Sequence, residues 1–171
     1  MLNLAKNDSL YNHGMKVLVW SQKEYEKTGT GWFRAGYDIS YYPNNIKRES
    51  SLVSKTYFTF SFTYKFPYED DTVYFAYFYP YTYSQLMEEL DAIESDDRRS
   101  KYVFRKTLCR TLAGNSCDYI TITSDNLNTW KQRKGVVITA RVHPGESNGS
   151  WMMKGVIDML TGHSREARML R

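Results

Sequence analysis

An unbroken alternation of side-chain types over residues 57–66 most constrains how this chain can fold. Aromatic residues occupy every even position from 58 to 66, and mostly small or polar residues lie between them. A period of two in aromatic residues predicts a strand with one apolar face. Pro67 and the acidic residues after it end the run, and the nearly continuous apolar residues 73–79 predict a second strand. We expect these two strands to pair as an antiparallel hairpin.

The aromatic residues are concentrated in this part of the chain, because 17 of the 27 lie between Tyr37 and Tyr83. One interpretation is an exposed aromatic platform that binds sugars or bases. The other is the core of an antiparallel β-sandwich. Strict alternation favours the core, and exposure of several of these rings on one face would favour a carbohydrate-binding sandwich instead.

The pattern changes after residue 80. Thr82 and Gln85 have the spacing of a capping box, and the apolar positions that follow predict a helix over residues 84–94. Residues 102–112 and 119–123 are expected to be extended, with a turn between them at 113–116. The first half of the chain is thus all-β and the second mixes helices with strands. We therefore predict an α+β fold with two domains, residues 1–79 and 80–171.

The end of the chain predicts a strand, a loop and a helix in succession. Residues 136–142 are apolar and β-branched, which predicts a short buried strand. A helical pattern begins near Gly149, with Ser147 or Asn148 as its N-cap and Gly162 as its end. Ligands commonly bind beyond the carboxyl ends of strands in α/β sheets, so the loop between this strand and this helix is a candidate site.

Length, charge and cysteine content exclude several classes of protein. No run approaches the roughly 18 apolar residues that cross a membrane, and the first residues lack the pattern of a secretory signal. The net charge of +4 is dispersed, and the most charged stretch, residues 94–101, mixes both signs, which argues against nucleic-acid binding. Cys109 and Cys117 are the only cysteines, and we expect two reduced, half-buried thiols.

The candidate site contains a histidine and a glutamate three residues apart, His143 and Glu146. Imidazole and carboxylate are both zinc ligands, and catalytic zinc commonly takes two histidines, one glutamate and a water. Pro144 and Gly145 bend the chain between them, which lets both side chains reach one ion. The alternative is a surface turn whose glutamate interacts favourably with a helix N-terminus, and spacing alone does not choose between the two.

A third protein ligand is missing from this pattern. His163 lies at the far end of the following helix, roughly 20 Å away at 1.5 Å per residue. His13 lies in the other predicted domain. The site therefore looks incomplete within this chain.

Five segments resemble the cytosolic carboxypeptidases, a family of zinc metallocarboxypeptidases. The segment 140–155 (ARVHPGESNGSWMMKG) resembles their zinc-binding segment, and 78–83 (FYPYTY) resembles the junction of their β-domain and catalytic domain. The other three are 9–16 (SLYNHGMK), 36–42 (GYDISYY) and 108–115 (LCRTLAGN). The similarity follows the whole chain in order and is strongest to the second and third types of the family.

The resemblance implies the ligands, cofactor and partners. It implies that His143 and Glu146 bind one zinc ion, and that the protein removes glutamate from polyglutamylated or C-terminal acidic tails of proteins such as tubulin. From the composition and charge, we expect no membrane or nucleic-acid partner. The resemblance also implies a cytoplasmic location, and association with microtubules, centrioles or cilia is an option that it leaves open.

The same resemblance implies that the chain is a fragment truncated at both ends. Residues 1–79 would be the C-terminal part of the β-sandwich domain, and 80–171 the first part of the α/β catalytic domain. No catalytic residue is expected within the chain, because the third zinc ligand and the general base would follow Arg171. We therefore expect this chain to be inactive, and the alternative is a non-catalytic protein-interaction module.

Overall fold

The computed structural model describes residues 1–49, 55–124 and 133–171. It contains two compact units, Met1–Tyr79 and Pro80–Arg171. The assignment of these units to a β-sandwich domain and a carboxypeptidase domain stays a prediction. The mixture of helices with antiparallel sheets agrees with the predicted α+β class.

The first unit contains two antiparallel sheets. Its strands are β1 (Val17–Ser21), β2 (Phe33–Ala35), β3 (Tyr37–Arg48), β4 (Lys55–Thr63) and β5 (Val73–Ala76). One sheet has the order β2-β1-β5 and the other consists of β3 and β4. A 3-10 helix at Leu10–His13 and helix α1 (Gln22–Thr28) complete the unit.

The core of this unit lies between the aromatic face of β4 and the β-branched residues of β1. Tyr41 and Phe60 are paired across β3 and β4, and they form one buried cluster with Val17, Val19 and Tyr11. The neighbours of Phe60 on the same face, at positions 58, 62 and 64, pack against this cluster. The alternating aromatic face is therefore core, and its burial does not support a carbohydrate platform on that face.

The predicted hairpin between the two aromatic strands is wrong. β4 pairs with β3, whereas β5 pairs with β1 in the other sheet. The two strands meet through their side chains instead, because the Phe75 ring lies 5.2 Å from that of Phe62 and 5.4 Å from that of Tyr64. Alternation identified the buried face of β4 correctly, but it carries no information about the strand at its edge. The second strand is also shorter than predicted, ending at Ala76.

The second unit begins with helix α2 (Tyr83–Ser95), whose start confirms the predicted cap. The Thr82 hydroxyl accepts a hydrogen bond from the backbone N–H of Gln85 at 3.1 Å. Leu90 and Ile93, predicted on the apolar face, are buried. The following elements are β6 (Val103–Arg110), β7 (Ser116–Ile122), α3 (Ser147–Thr161) and α4 (Arg165–Leu170).

Strands β6 and β7 form an antiparallel hairpin, as the predicted turn at 113–116 requires. Gly114 has a φ of +81°, a value that glycine adopts without the steric cost of a side chain. Cys109 and Cys117 are exposed rather than half-buried, and the hairpin register places them opposite each other.

Arg105 of β6 joins the hairpin to helix α2. Its guanidinium donates hydrogen bonds to Asp118 of β7 at 2.7 Å, and to Asp91 and Glu94 of α2 at 2.6 and 3.1 Å. The Asp118 side chain is only 5% exposed. Hydrogen bonds, first from the Ser116 hydroxyl and then from Arg105, hold the pKa of Asp118 below its usual range. Because Asp118 is shielded from solvent, its ion pair with Arg105 is strong, and the further bonds from Arg105 to α2 hold the helix against the hairpin.

The predicted buried strand at 136–142 is absent. Residues 134–140 have no helix or strand assignment, and Val136, Val137 and Val142 are between 76% and 91% exposed. A continuous apolar run forms a buried strand only where neighbouring strands and covering helices enclose it. Among the described residues this run pairs with no strand.

None of the helices in the described ranges combines the length and apolar character that crossing a membrane requires.

We expect Phe60→Ala to destabilise the first unit by about 3–5 kcal/mol, because it removes a large side chain from a close-packed core. Phe66→Ala is the matched control. Phe66 is 58% exposed whereas Phe60 is 3% exposed, so its loss should cost less than about 1 kcal/mol. Urea unfolding of both variants measures the difference, and equal losses would contradict the assignment of Phe60 to the core.

We expect Asp118→Asn to lower the free energy of unfolding by about 1–3 kcal/mol at neutral pH, because it weakens the hydrogen bonds to Arg105. The folded pKa of Asp118 is lowered. Its stabilising effect is therefore complete above the unfolded pKa of about 3.9 and is lost as the pH falls through the folded pKa. Urea unfolding at several pH values should show the two proteins converging in acid. Asp97→Asn, at an exposed position, should show neither effect.

Candidate metal centre

His143 and Glu146 lie at the two ends of one tight turn. The backbone N–H of Glu146 donates to the His143 carbonyl at 3.0 Å, with Pro144 and Gly145 between them. A four-residue turn brings its first and last Cα atoms within about 7 Å, and proline is favoured at its second position because its φ is already set. The local sequence therefore places the two predicted ligands close together.

The start of α3 leaves the Glu146 carboxylate available. Glu146 is the N-cap residue, and its side chain makes no capping hydrogen bond. The predicted N-caps, Ser147 and Asn148, are therefore wrong. Ser147 is buried as the first residue of the helix, and the chain enters the helix through a hydrogen bond from the Gly149 N–H to the Glu146 carbonyl at 3.0 Å.

Both candidate side chains are exposed, so a ligand can approach them from solvent. An imidazole nitrogen and a carboxylate oxygen suit zinc. The turn therefore fits a zinc ion as a partial ligand set that provides two of the three protein ligands that a catalytic zinc usually has. The carboxylate also lies beside a helix N-terminus, where negative charge is favourable, so the same geometry is compatible with the surface-turn interpretation.

The third ligand is not found within the described ranges, where no group of three or more histidine, cysteine, aspartate or glutamate residues could hold a metal. His163 follows the end of α3, and a helix of 15 residues extends about 22 Å. His13 interacts with Asp8 in the first unit, with 2.9 Å between Nε2 and Oδ2. Helix α3 thus separates His163 from the turn, and His13 belongs to the first unit.

Arg141 holds the turn in place and was not identified from the sequence. Its Nε donates to the Pro144 carbonyl at 3.0 Å, and its Nη1 donates to the Tyr81 carbonyl at 2.5 Å. Its backbone has a φ of +52°, which is unfavourable for a residue with a side chain. The two hydrogen bonds fix this conformation, and they connect the turn to a residue 60 positions earlier in the chain.

Tyr81 gives Arg141 a rigid partner. Its side chain is 5% exposed, and its ring meets that of Trp151 edge-to-face at 5.1 Å. Its hydroxyl donates to Glu89 of α2 at 2.5 Å. Burial, followed by this hydrogen bond, raises the pKa of Tyr81.

Gly149, in the first turn of α3, allows the helix to approach the backbone of Arg141. A Cβ at this position would lie 3.0 Å from the Arg141 backbone nitrogen. The glycine therefore permits close packing between the helix start and the segment that precedes the turn. At Gly155 of the same helix, an added Cβ would have nothing within 4 Å, so the constraint is specific to Gly149.

Comparison with known proteins gives relatives of one kind along almost the whole chain. The chain is 48% identical over 171 residues to cytosolic carboxypeptidase 2 of Xenopus tropicalis, an alignment that covers 99% of this chain and 17% of that protein. It is 46% identical over 171 residues to cytosolic carboxypeptidase 3 of Mus musculus, covering 100% of this chain and 17% of that protein. The chain belongs to the cytosolic carboxypeptidase family.

A third relative is cytosolic carboxypeptidase 1 of Homo sapiens, which is 41% identical over 183 residues, covering 100% of this chain and 15% of that protein. The two relatives of types 2 and 3 are thus more similar than this type 1 protein, as the sequence predicts. The chain spans 15–17% of the length of these relatives. No protein-family model and no solved structure matches it.

We expect Gly149→Ala to destabilise the second unit by about 1–3 kcal/mol, because the added methyl group presses on the Arg141 backbone. Gly155→Ala is the matched control. With open space around it, alanine should stabilise the helix by up to about 1 kcal/mol through its higher helix propensity. Thermal unfolding should therefore shift in opposite directions for the two variants. A stabilising Gly149→Ala would show that the close approach to Arg141 is unimportant.

Proposed function

We propose that this chain provides part of the zinc centre of a metallocarboxypeptidase, with His143 and Glu146 as two of its ligands. The observation that carries the proposal is the closed turn between these residues, in a chain of the cytosolic carboxypeptidase family. A bound zinc ion supplies a Lewis acid that polarises the scissile carbonyl. Within this chain, His143 and Glu146 would hold the ion, and Arg141 keeps their turn in position.

The proposed substrates are polyglutamylated or C-terminal acidic tails of proteins such as tubulin, from which the enzyme would remove glutamate. Support for this class comes from the family resemblance of the segment around His143 and Glu146. The net charge of +4 is compatible with an acidic substrate, although charge of this size contributes only modest attraction. We propose a cytoplasmic location, with access to microtubules, centrioles or cilia.

The two units would then have different roles. We propose that Met1–Tyr79 belongs to the β-sandwich domain and Pro80–Arg171 to the beginning of the catalytic domain. Within the described ranges the turn has no third ligand, so the 171-residue chain should bind zinc weakly and lack hydrolytic activity. The same observation favours a second candidate, a non-catalytic interaction module. Stoichiometric zinc and glutamate release by the chain itself would exclude that second function.

A segment exchange tests the ligand assignment. The matching segment of Xenopus tropicalis cytosolic carboxypeptidase 2 is replaced by this chain, and glutamate release from polyglutamylated tubulin and from a peptide ending in glutamate is measured together with zinc content. We expect His143→Ala and Glu146→Gln to reduce activity by more than about 100-fold, because changes that affect ligands only indirectly already cost 10–100-fold. Zinc content should fall in parallel.

The chain offers matched controls for both substitutions. His163→Ala and Glu166→Gln change the same residue types at exposed positions near the other end of α3, and they should leave activity and zinc unchanged. Full zinc content and activity in the His143 and Glu146 variants would refute the ligand assignment. An exchanged protein that binds zinc but releases no glutamate from either substrate would refute the proposed substrate class while keeping the metal site.

A further inference from the structure

The two cysteines of the chain lie opposite each other in the β6–β7 hairpin. Cys109 and Cys117 are paired residues in its antiparallel register, beside the irregularity that follows Thr107. Both are free thiols with exposed side chains. Directly opposed residues of such a pair have Cα atoms about 4.5–5.5 Å apart, within the roughly 4.4–6.8 Å that a disulfide spans. The backbone is therefore already arranged for a bond between them.

The opposed position of the two thiols also affects their ionisation. The pKa of Cys117 is raised, first because a thiolate at Cys109 would repel a second negative charge, and then by desolvation. Asp118 adds a smaller repulsion. Directly opposed residues project their side chains from the same face of the hairpin, so both thiols lie on one face.

We propose that Cys109 and Cys117 form a reversible dithiol–disulfide site, oxidised by a small-molecule disulfide of the glutathione class. One protein thiolate attacks a sulfur of the glutathione disulfide and releases one glutathione thiolate. The second protein thiolate then attacks the protein sulfur of this mixed disulfide and releases the other glutathione. Two protein thiols become one disulfide, and one glutathione disulfide becomes two glutathione thiols.

The bond would affect the end of the hairpin that contacts α2. Ser116, next to Cys117, donates its backbone N–H to the hydroxyl of Tyr83 at 3.0 Å, and Tyr83 is the first residue of that helix. A disulfide would fix β6 and β7 beside this contact. The oxidation state of the pair is therefore coupled to the packing of hairpin and helix.

The test equilibrates the 171-residue chain with glutathione buffers of increasing oxidised fraction, blocks remaining thiols by alkylation and measures intact mass. We expect one transition, in the monomer, to a species that carries no alkyl group and is lighter than the unmodified reduced chain by two hydrogen atoms. The disulfide should form in the folded chain at a ratio of oxidised to reduced glutathione at least about tenfold lower than in the same chain in urea, because folding holds the thiols together. A tenfold difference corresponds to about 30 mV for a two-electron couple.

Three variants test whether disulfide formation depends on the opposed positions of the two cysteines or only on the reactivity of exposed thiols. Cys109→Ser and Cys117→Ser should each give a single glutathione adduct. The double variant Cys117→Ser with Tyr119→Cys keeps two thiols on β6 and β7 but moves one of them opposite Lys106. A diagonal separation of about 7–8 Å is too long for a disulfide, so this variant should take up two glutathiones.

Several results would overturn the proposal. They are two glutathione adducts on the unsubstituted chain, disulfide-linked dimers, the same closing ratio in the folded and urea-unfolded chain, and closure of the Tyr119→Cys variant as readily as the natural pair. Each would show that the opposed register of Cys109 and Cys117 does not create a preferred internal disulfide.

Discussion

The ion pair between Arg105 and Asp118 is the contact on which the packing of the hairpin against helix α2 depends. Asp118 is almost fully covered, and a covered carboxylate is stable only where charged or hydrogen-bonding groups surround it. Arg105 satisfies it from the neighbouring strand and uses its remaining donors on two carboxylates of α2. The planar guanidinium thus fixes both the pairing of the hairpin and the position of the helix packed against it, which an ammonium group with a single charge centre would do less specifically.

From α2 the arrangement extends to the candidate metal turn through a short series of contacts. Glu89 on the helix holds the hydroxyl of Tyr81, and the carbonyl of Tyr81 accepts from Arg141. Arg141 in turn holds the Pro144 carbonyl within the turn. Residues that bind a metal must be held to within a fraction of an ångström. Here the loop with the two exposed candidate ligands obtains support from a buried tyrosine and from an arginine in a left-handed conformation.

Local features of the fold were predictable from the sequence, whereas contacts between distant residues were not. The cap at Thr82 depends on residues three positions apart, and the hairpin turn around Gly114 depends on a few neighbours, so both were predicted correctly. The partner of β4 depends on which strand lies at its edge, and alternation at positions 58–66 specifies only which face is buried. Val136 and its neighbours were misassigned for a related reason, because an apolar run indicates burial only if something covers it.

In the candidate site, too, local features were predictable from the sequence and contacts between distant residues were not. The spacing of His143 and Glu146 and the intervening Pro-Gly pair predicted a turn that the structure contains. Arg141 could not be identified, because its importance lies in a hydrogen bond to residue 81 that no local pattern encodes. The N-cap of α3 was misplaced by one or two residues, since serine and asparagine are usual caps and the burial of Ser147 becomes visible only in three dimensions.

The exposed apolar run before the turn has a practical consequence for handling this protein. Its valine side chains face solvent, and its backbone forms no strand ladder with any other part of the chain that the structure describes. A segment of this composition readily adds to the open edge of another sheet, which is how soluble chains begin to aggregate. Concentrated solutions of the isolated chain should therefore self-associate through residues 136–138, and a lysine placed among them would improve solubility without altering either candidate ligand.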